Sequence, residues 1–171
     1  MRGLVAVTML VLLLASTCAS ATSRAARPLE IRSDGGRILA CVPLDEGEDV
    51  AVEAAGVSAV RVGGQDLPKP WRITIDKGHS MLRLEPGDCL AYGADLDGYV
   101  RAPLEVELGN DLPYYFAIRS PEWGKHGTRN HSGMFCVRRR AGTLVAVTVP
   151  RRSDVVTPAT CVRLLDAAEG P

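Results

Sequence analysis

Five cysteines and three histidines are the residues of this 171-residue chain whose types can do chemistry. Cys41, Cys89, Cys136 and Cys161 stand far apart, whereas zinc ligands come in close pairs such as C-x-x-C, so a zinc site is not expected. An even set in an exported chain points instead to two disulfides, for which three connectivities are open. The alternative is four buried free thiols. Cys18 is set apart by its position in the opening run MRGLVAVTMLVLLLASTCAS.

The histidines assemble nothing recognisable as catalytic. His79 sits in the turn DKGHS, where a solvated side chain is expected, while His126 and His131 share the stretch SPEWGKHGTRNHSG with Trp123, Lys125 and Arg129. That stretch offers Glu122 as its one carboxylate and no third ligand at a metal-binding spacing, so no metal or cofactor is expected. Also missing are a G-x-S-x-G elbow, a phosphate-binding G-x-x-x-x-G-K-[ST] loop and an H-E-x-x-H helix. The residue types favour binding over catalysis. A long loop carrying one Trp among basic and hydrogen-bonding side chains has the composition of a protein interface. Trp123, His126, Arg129 and His131 are therefore candidate partner-binding residues, joined by Arg139 from the arginine cluster Arg138, Arg139, Arg140, Arg151 and Arg152. In the competing reading Trp123 folds back as a lid over the core, and the arginines are ordinary solvated strand ends.

The first 21 residues read as a secretory signal: Arg2, then an apolar run from Leu4 to Leu14 broken by Thr8, then small residues. The run is about half of what a membrane-spanning helix needs. Cleavage after Ala19-Ser20-Ala21 would begin the mature chain at Thr22. Ala15-Ser16-Thr17-Cys18 loosely resembles a lipobox, and lipidation of Cys18 would anchor the protein to the membrane. Either fate takes Cys18 out of the pairing. The expected location is the periplasm, with a membrane-anchored lipoprotein facing it as the alternative. The expected divisions are the signal (1–21), an N-terminal arm (22–27), one β-sandwich domain (28–164) and a C-terminal tail (165–171).

Charge is unevenly spread although the chain as a whole is neutral. Thr22 to Tyr115 holds 16 acids and 10 bases, and Phe116 to Pro171 holds 4 acids and 9 bases. Such an asymmetry can steer a charged protein partner, while the neutral total gives no general affinity for nucleic acid.

Short alternating or apolar runs separated by turn residues must position these groups. Strands are expected at Leu29–Arg32, Arg37–Val42, Asp49–Glu53, Ser58–Val62, Trp71–Asp76, Met81–Leu84, Cys89–Tyr92, Leu104–Leu108, Tyr114–Arg119, Met134–Arg139 and Thr143–Val149. Asp34-Gly35-Gly36, Pro86-Gly87-Asp88 and Ala141-Gly142 supply turn chemistry between them. Helical periodicity is nearly absent. The pattern predicts an all-β, mostly antiparallel, immunoglobulin-like β-sandwich with Trp71 in the core and cysteines bridging facing sheets. Stacking on a ligand is the other role open to Trp71.

The segments GRILACVP, LRLEPGDCLAYG, APLEVELGNDLPYYFAI and GMFCVRRRAGTLVAV together resemble the type VI secretion immunity periplasmic lipoproteins, small bacterial envelope proteins. The resemblance covers most of residues 37–149. It implies a Cys41–Cys89 bridge, which leaves Cys136 for Cys161. It also implies an immunity protein whose partner is a secreted effector toxin, and the missing catalytic constellation makes that protein a non-enzymatic binder. An envelope assembly module that holds partners by strand addition at its sheet edges is the second reading.

Overall fold

The computed structural model describes residues 26–60, 69–102, 107–122, 127, 129–150 and 156–169. Cys18 with the leader and its cleavage site, Trp123, His126, Arg151, Arg152 and most of the expected Leu104–Leu108 strand lie outside them.

The fold is all-β and mostly antiparallel, with two disulfides. Its larger sheet runs β1 (Arg27–Pro28), β11 (Asn130–Arg140), β10 (Leu112–Arg119), β5 (Ala54–Ala59), β6 (Trp71–Ile75) and β9 (Tyr99–Arg101), with β12 (Thr143–Thr148) also paired to β11. A smaller sheet holds β2 (Glu30–Asp34), β3 (Arg37–Cys41) and β8 (Cys89–Ala91), and β4 (Val50–Ala51) pairs β7 (Arg83–Leu84). Among the described residues one helix, α1 (Pro158–Glu169), follows.

Side-chain alternation sets the layers. Along β10 the side chains of Tyr114, Phe116 and Ile118 turn inward while Tyr115, Ala117 and Arg119 face out. The inward set meets Trp71 and Ile73 of β6 and Ile31, Ile38 and Ala40 of the smaller sheet in one core. Trp71 is buried there, edge-on to Phe116 at 5.5 Å and to Tyr92 at 6.0 Å between ring centroids. Burying such rings accounts for much of the apolar stabilisation, since each can hide 150–250 Å².

Local chemistry closes the hairpins. Gly35 and Gly36, with φ of +55° and +78°, form a two-residue turn that pairs Asp34 with Arg37. At Gly133 a Cβ atom would fall 2.7 Å from the Leu29 carbonyl oxygen and 2.8 Å from Ile31 Cγ1, so only glycine lets the chain cross there from β1 into the smaller sheet. That crossing brings β2 beside β12, where Thr148 Oγ1 donates to the Ile31 carbonyl (2.7 Å) and Ser33 Oγ to that of Leu144 (3.1 Å).

Several expectations are corrected. Neither disulfide joins the two sheets. Cys41–Cys89 links directly opposed residues of β3 and β8, at a position flanked by the backbone bonds of Val42 with Asp88 and Tyr92 with Ile38. Cys41 and Cys89 therefore form a non-hydrogen-bonded pair, the place in an antiparallel ladder where side chains come closest. Cys136–Cys161 ties β11 to the helix, which helical periodicity had not announced. Of the tail expected from residue 165, residues 165–169 are the end of that helix, with Leu165 fully buried against Cys136, Val149 and Val156. Arg27, placed in the arm, is the first residue of β1. The strand expected at Ser58–Val62 instead begins at Ala54, and β9 was unforeseen. The stretch read as a loop through Gly133 is already strand from Asn130.

Candidate functional site

The larger sheet has an outer face that the helix covers only at one end. Cys136 and Met134 on that face pack with Val149, Val156, Cys161 and Leu165. Beyond the helix lies a row set by strand register: Arg72 opposite Gly56, Gly56 opposite Ala117, and Ala117 opposite Ser132. Three small residues side by side on adjacent strands leave a trough of about 260 Å³, whose floor spans roughly 10 Å at the usual strand spacing. Lys69, Arg72 and Arg119 line it, with no acid among the described residues that do. Arg119 is already held by Glu53 (2.6 and 3.2 Å), whereas Lys69 and Arg72 are exposed and make no ion pair among the described residues. The floor is rigid, because these are central strands paired on both sides.

A second constellation is buried. Glu46, in the turn after β3, is 4% exposed and accepts hydrogen bonds from Arg27 Nε (3.0 Å) and Nη2 (2.5 Å). His131 is 7% exposed, with Nε2 3.9 Å from Glu46 Oε2 and an Nδ1 that has no hydrogen-bond partner. Burial lowers the His131 pKa from its ordinary 6.5, against the upward pull of Glu46. A buried acid, arginine and histidine invite an active-site reading, but the bidentate pair satisfies the acid and fixes a two-residue strand. Its evident role is structural.

The sequence-derived candidates do not gather in one place. Arg129 lies at the neck of the β10–β11 connection, where its carbonyl accepts from the Ser120 amide (2.7 Å). Arg139, ten residues further on near the far end of β11, lies about 33 Å away at strand rise, with its amide donating to Asn110 Oδ1. His131 turns out to be a buried strand residue and not a loop residue, which withdraws its ring from the surface. Nor do the described arginines of the cluster build one positive face. Arg138 donates to Asp111 Oδ1 (2.7 Å) and Asp166 Oδ1 (2.8 Å), bonds that raise its pKa above the ordinary value. Arg139 lies 3.7 Å from Glu107. Arg119 with Glu53, Arg138 with Asp111 and Arg139 with Glu107 each join a base from the C-terminal segment to an acid from the preceding one. Part of the charge split along the chain is thus pairing between neighbouring elements of the fold.

Lys69, Arg72, Ala117 and Ser132 escaped the sequence reading because a small-residue row exists only once register is known. The one available signal was the string of small side chains in EAAGVSA, unusual for a strand. Among the described residues no group of three or more His, Cys, Asp or Glu side chains could hold a metal ion, and no helix is long and apolar enough to cross a membrane. Comparison with known proteins gave no match to a family model, to a curated protein or to a solved structure.

Proposed function

We propose that this chain is an exported, non-enzymatic binding protein that blocks a protein partner, in its specific form an immunity protein that neutralises a secreted toxin. The observation that carries the reading is the part of the larger sheet's outer face that no described element covers, a preformed surface with exposed cations at its margin. A stoichiometric inhibitor needs a rigid scaffold and a surface, and pre-organisation of both limits the ordering cost of association. Two disulfides supply rigidity and suit an oxidising compartment such as the periplasm.

Strand addition is favoured by a different observation. Among the described residues β9 pairs only with β6, and Val100 at its centre is 57% exposed, so this edge could accept another strand.

Both readings are tested by using the mature chain as bait for envelope extracts and for any secreted effector encoded beside its gene, followed by co-expression with such a toxin in the periplasm of a sensitive cell. A stoichiometric complex and restored growth are expected. A complex with a fibre or secretion component, lost on substituting Arg101, whose backbone N–H faces away from β6, with proline, would move the assignment to assembly; a toxin left unbound and fully lethal would refute immunity.

A further inference from the structure

We infer that the trough over Gly56, Ala117 and Ser132 is a docking site for an acidic, extended segment of the protein partner, with the carboxylates of that segment paired to Arg72 and Lys69. The inference rests on the proposal that the chain binds a protein, and it names where and by what chemistry.

Charge complementarity selects the occupant. The described lining holds three cations and no acid, and Glu53, the residue before Ala54 of that lining, is engaged with Arg119. Arg72 can present a planar fork to a carboxylate, and Lys69 a point charge beside it. A second copy of this chain is a poor occupant, because two-fold pairing would set Lys69 and Arg72 against their own copies. The chain's own N-terminal stretch does not fit either, for residues 1–29 contain arginines and no acid. Shape agrees with charge. Ala117 and Ser132 project too little to block a main chain lying across the face, and Gly56 cannot grow without meeting the Trp71 carbonyl oxygen at 2.9 Å, so packing of the sheet itself keeps the floor low. Tyr115, outward-facing and next to this row on β10, adds an aromatic surface of the kind enriched at interfaces.

The test uses the full mature chain and a defined probe, an extended peptide alternating Glu and Val, with a Lys and Val peptide as control. Nuclear magnetic resonance titration should shift the amides of Gly56, Ser58, Ala117 and Ser132 with the acidic peptide only. Fluorescence anisotropy should show affinity falling at least tenfold in a K69E/R72E double variant and in Ala117→Trp, which fills the trough. Arg163→Glu, on the exposed side of the helix, should leave affinity unchanged. All these positions are on the surface, and unfolding midpoints check that the variants fold. Shifts located elsewhere, equal binding of the basic peptide, or wild-type affinity in both trough variants would overturn the site. Failure of the binding-protein reading is separately visible, as absence of any partner complex for the wild-type chain.

Discussion

Arg27 grips Glu46 through two parallel hydrogen bonds, of 3.0 and 2.5 Å, and this pair holds the first strand of the protein in place. β1 is two residues long and, among the described residues, is the one strand added in parallel, against His131 and Ser132 of β11. So few backbone bonds could not order a strand alone. The side-chain clamp ties it to the turn after β3, and thereby ties both sheets together.

Glu46→Ala should therefore be among the more damaging single changes. Removing one partner of a buried pair costs about 3–5 kcal/mol, and less here because Arg27 is partly exposed and can turn to water. A loss of about 2–3 kcal/mol is expected from urea unfolding, with Glu46→Gln retaining part of the stability. A midpoint unchanged in Glu46→Ala would show that β1 is held by other means.

His131 makes stability depend on pH. Burial lowers its folded-state pKa, so as pH falls below the ordinary 6.5 the unfolded chain takes up a proton before the folded one does. Stability contributed by the neutral ring is fully present above that pH and is lost as pH falls toward the folded-state value. Glu46, Glu48 and Arg27 are the charged groups around it, and Glu46 and Glu48 oppose the shift while Arg27 adds to it. His131→Phe keeps the ring volume and removes the unpartnered Nδ1, so its stability at pH 7 should lie within about 1 kcal/mol of wild type. Its unfolding midpoint should also be flatter than wild type just below pH 6.5. Parallel pH profiles for the two proteins would exclude His131 as the source.

Reduction should proceed in order. Cys136 and Cys161 are both fully buried, whereas Cys89 is exposed on an edge strand, so a thiol reductant reaches the Cys41–Cys89 bridge first. Closing loops with separations of 48 and 25 residues, the bridges contribute roughly 4 and 3.5 kcal/mol by chain entropy. Alkylation under native conditions followed by peptide mapping should find Cys41 and Cys89 modified before the other pair. Simultaneous appearance of all four thiols would mean that reduction requires global unfolding.

Much of the strand layout was legible because period-two alternation is a local signal: LPYYFAIR and WRITI carry it openly. Asp34-Gly35-Gly36-Arg37 likewise declares its hairpin through two glycines at positive φ. What depends on long-range packing was not legible. The pairing of Cys41 with Cys89 is the one the family resemblance implied, but its place within a single sheet, like the trough on the larger one, follows from which residues face each other across strands, a matter of register. β1 is too short to show a pattern. The helix did leave a mark that a β reading hides: Thr157-Pro158 before Cys161, Leu164, Leu165 and Ala168 is a cap followed by 3–4 spacing. In the structure Thr157 and Thr160 exchange backbone-to-hydroxyl bonds of 3.3 Å, a reciprocal cap.

Ala141 offers a gain in stability. It takes a φ of +46° in the two-residue turn between β11 and β12, a conformation that costs an L-residue roughly 1–2 kcal/mol and glycine little. Ala141→Gly should raise stability by about 0.5–1 kcal/mol in thermal or urea unfolding, after allowing for the greater freedom of glycine in the unfolded chain. A destabilised variant would contradict the left-handed turn.

The helix is the last element whose role can be separated by experiment. Leu165 is fully buried in a cluster distinct from the main core, with Cys136, Val149, Val156 and Cys161 around it. Deleting most of its side chain should cost about 2–3 kcal/mol, at the low end for Leu→Ala because so small a cluster can partly collapse. The Cys136–Cys161 bridge would keep the helix attached. Leu165→Ala should therefore speed amide hydrogen exchange throughout α1 more than in β10 or β5, while the urea midpoint falls. A chain ending at residue 164 loses the same anchor together with the last helical turn, and it should be at least as unstable. If that shortened chain unfolds at the wild-type midpoint, residues from 165 onward are a dispensable tail, and the outer face of the sheet needs no helix to cover it.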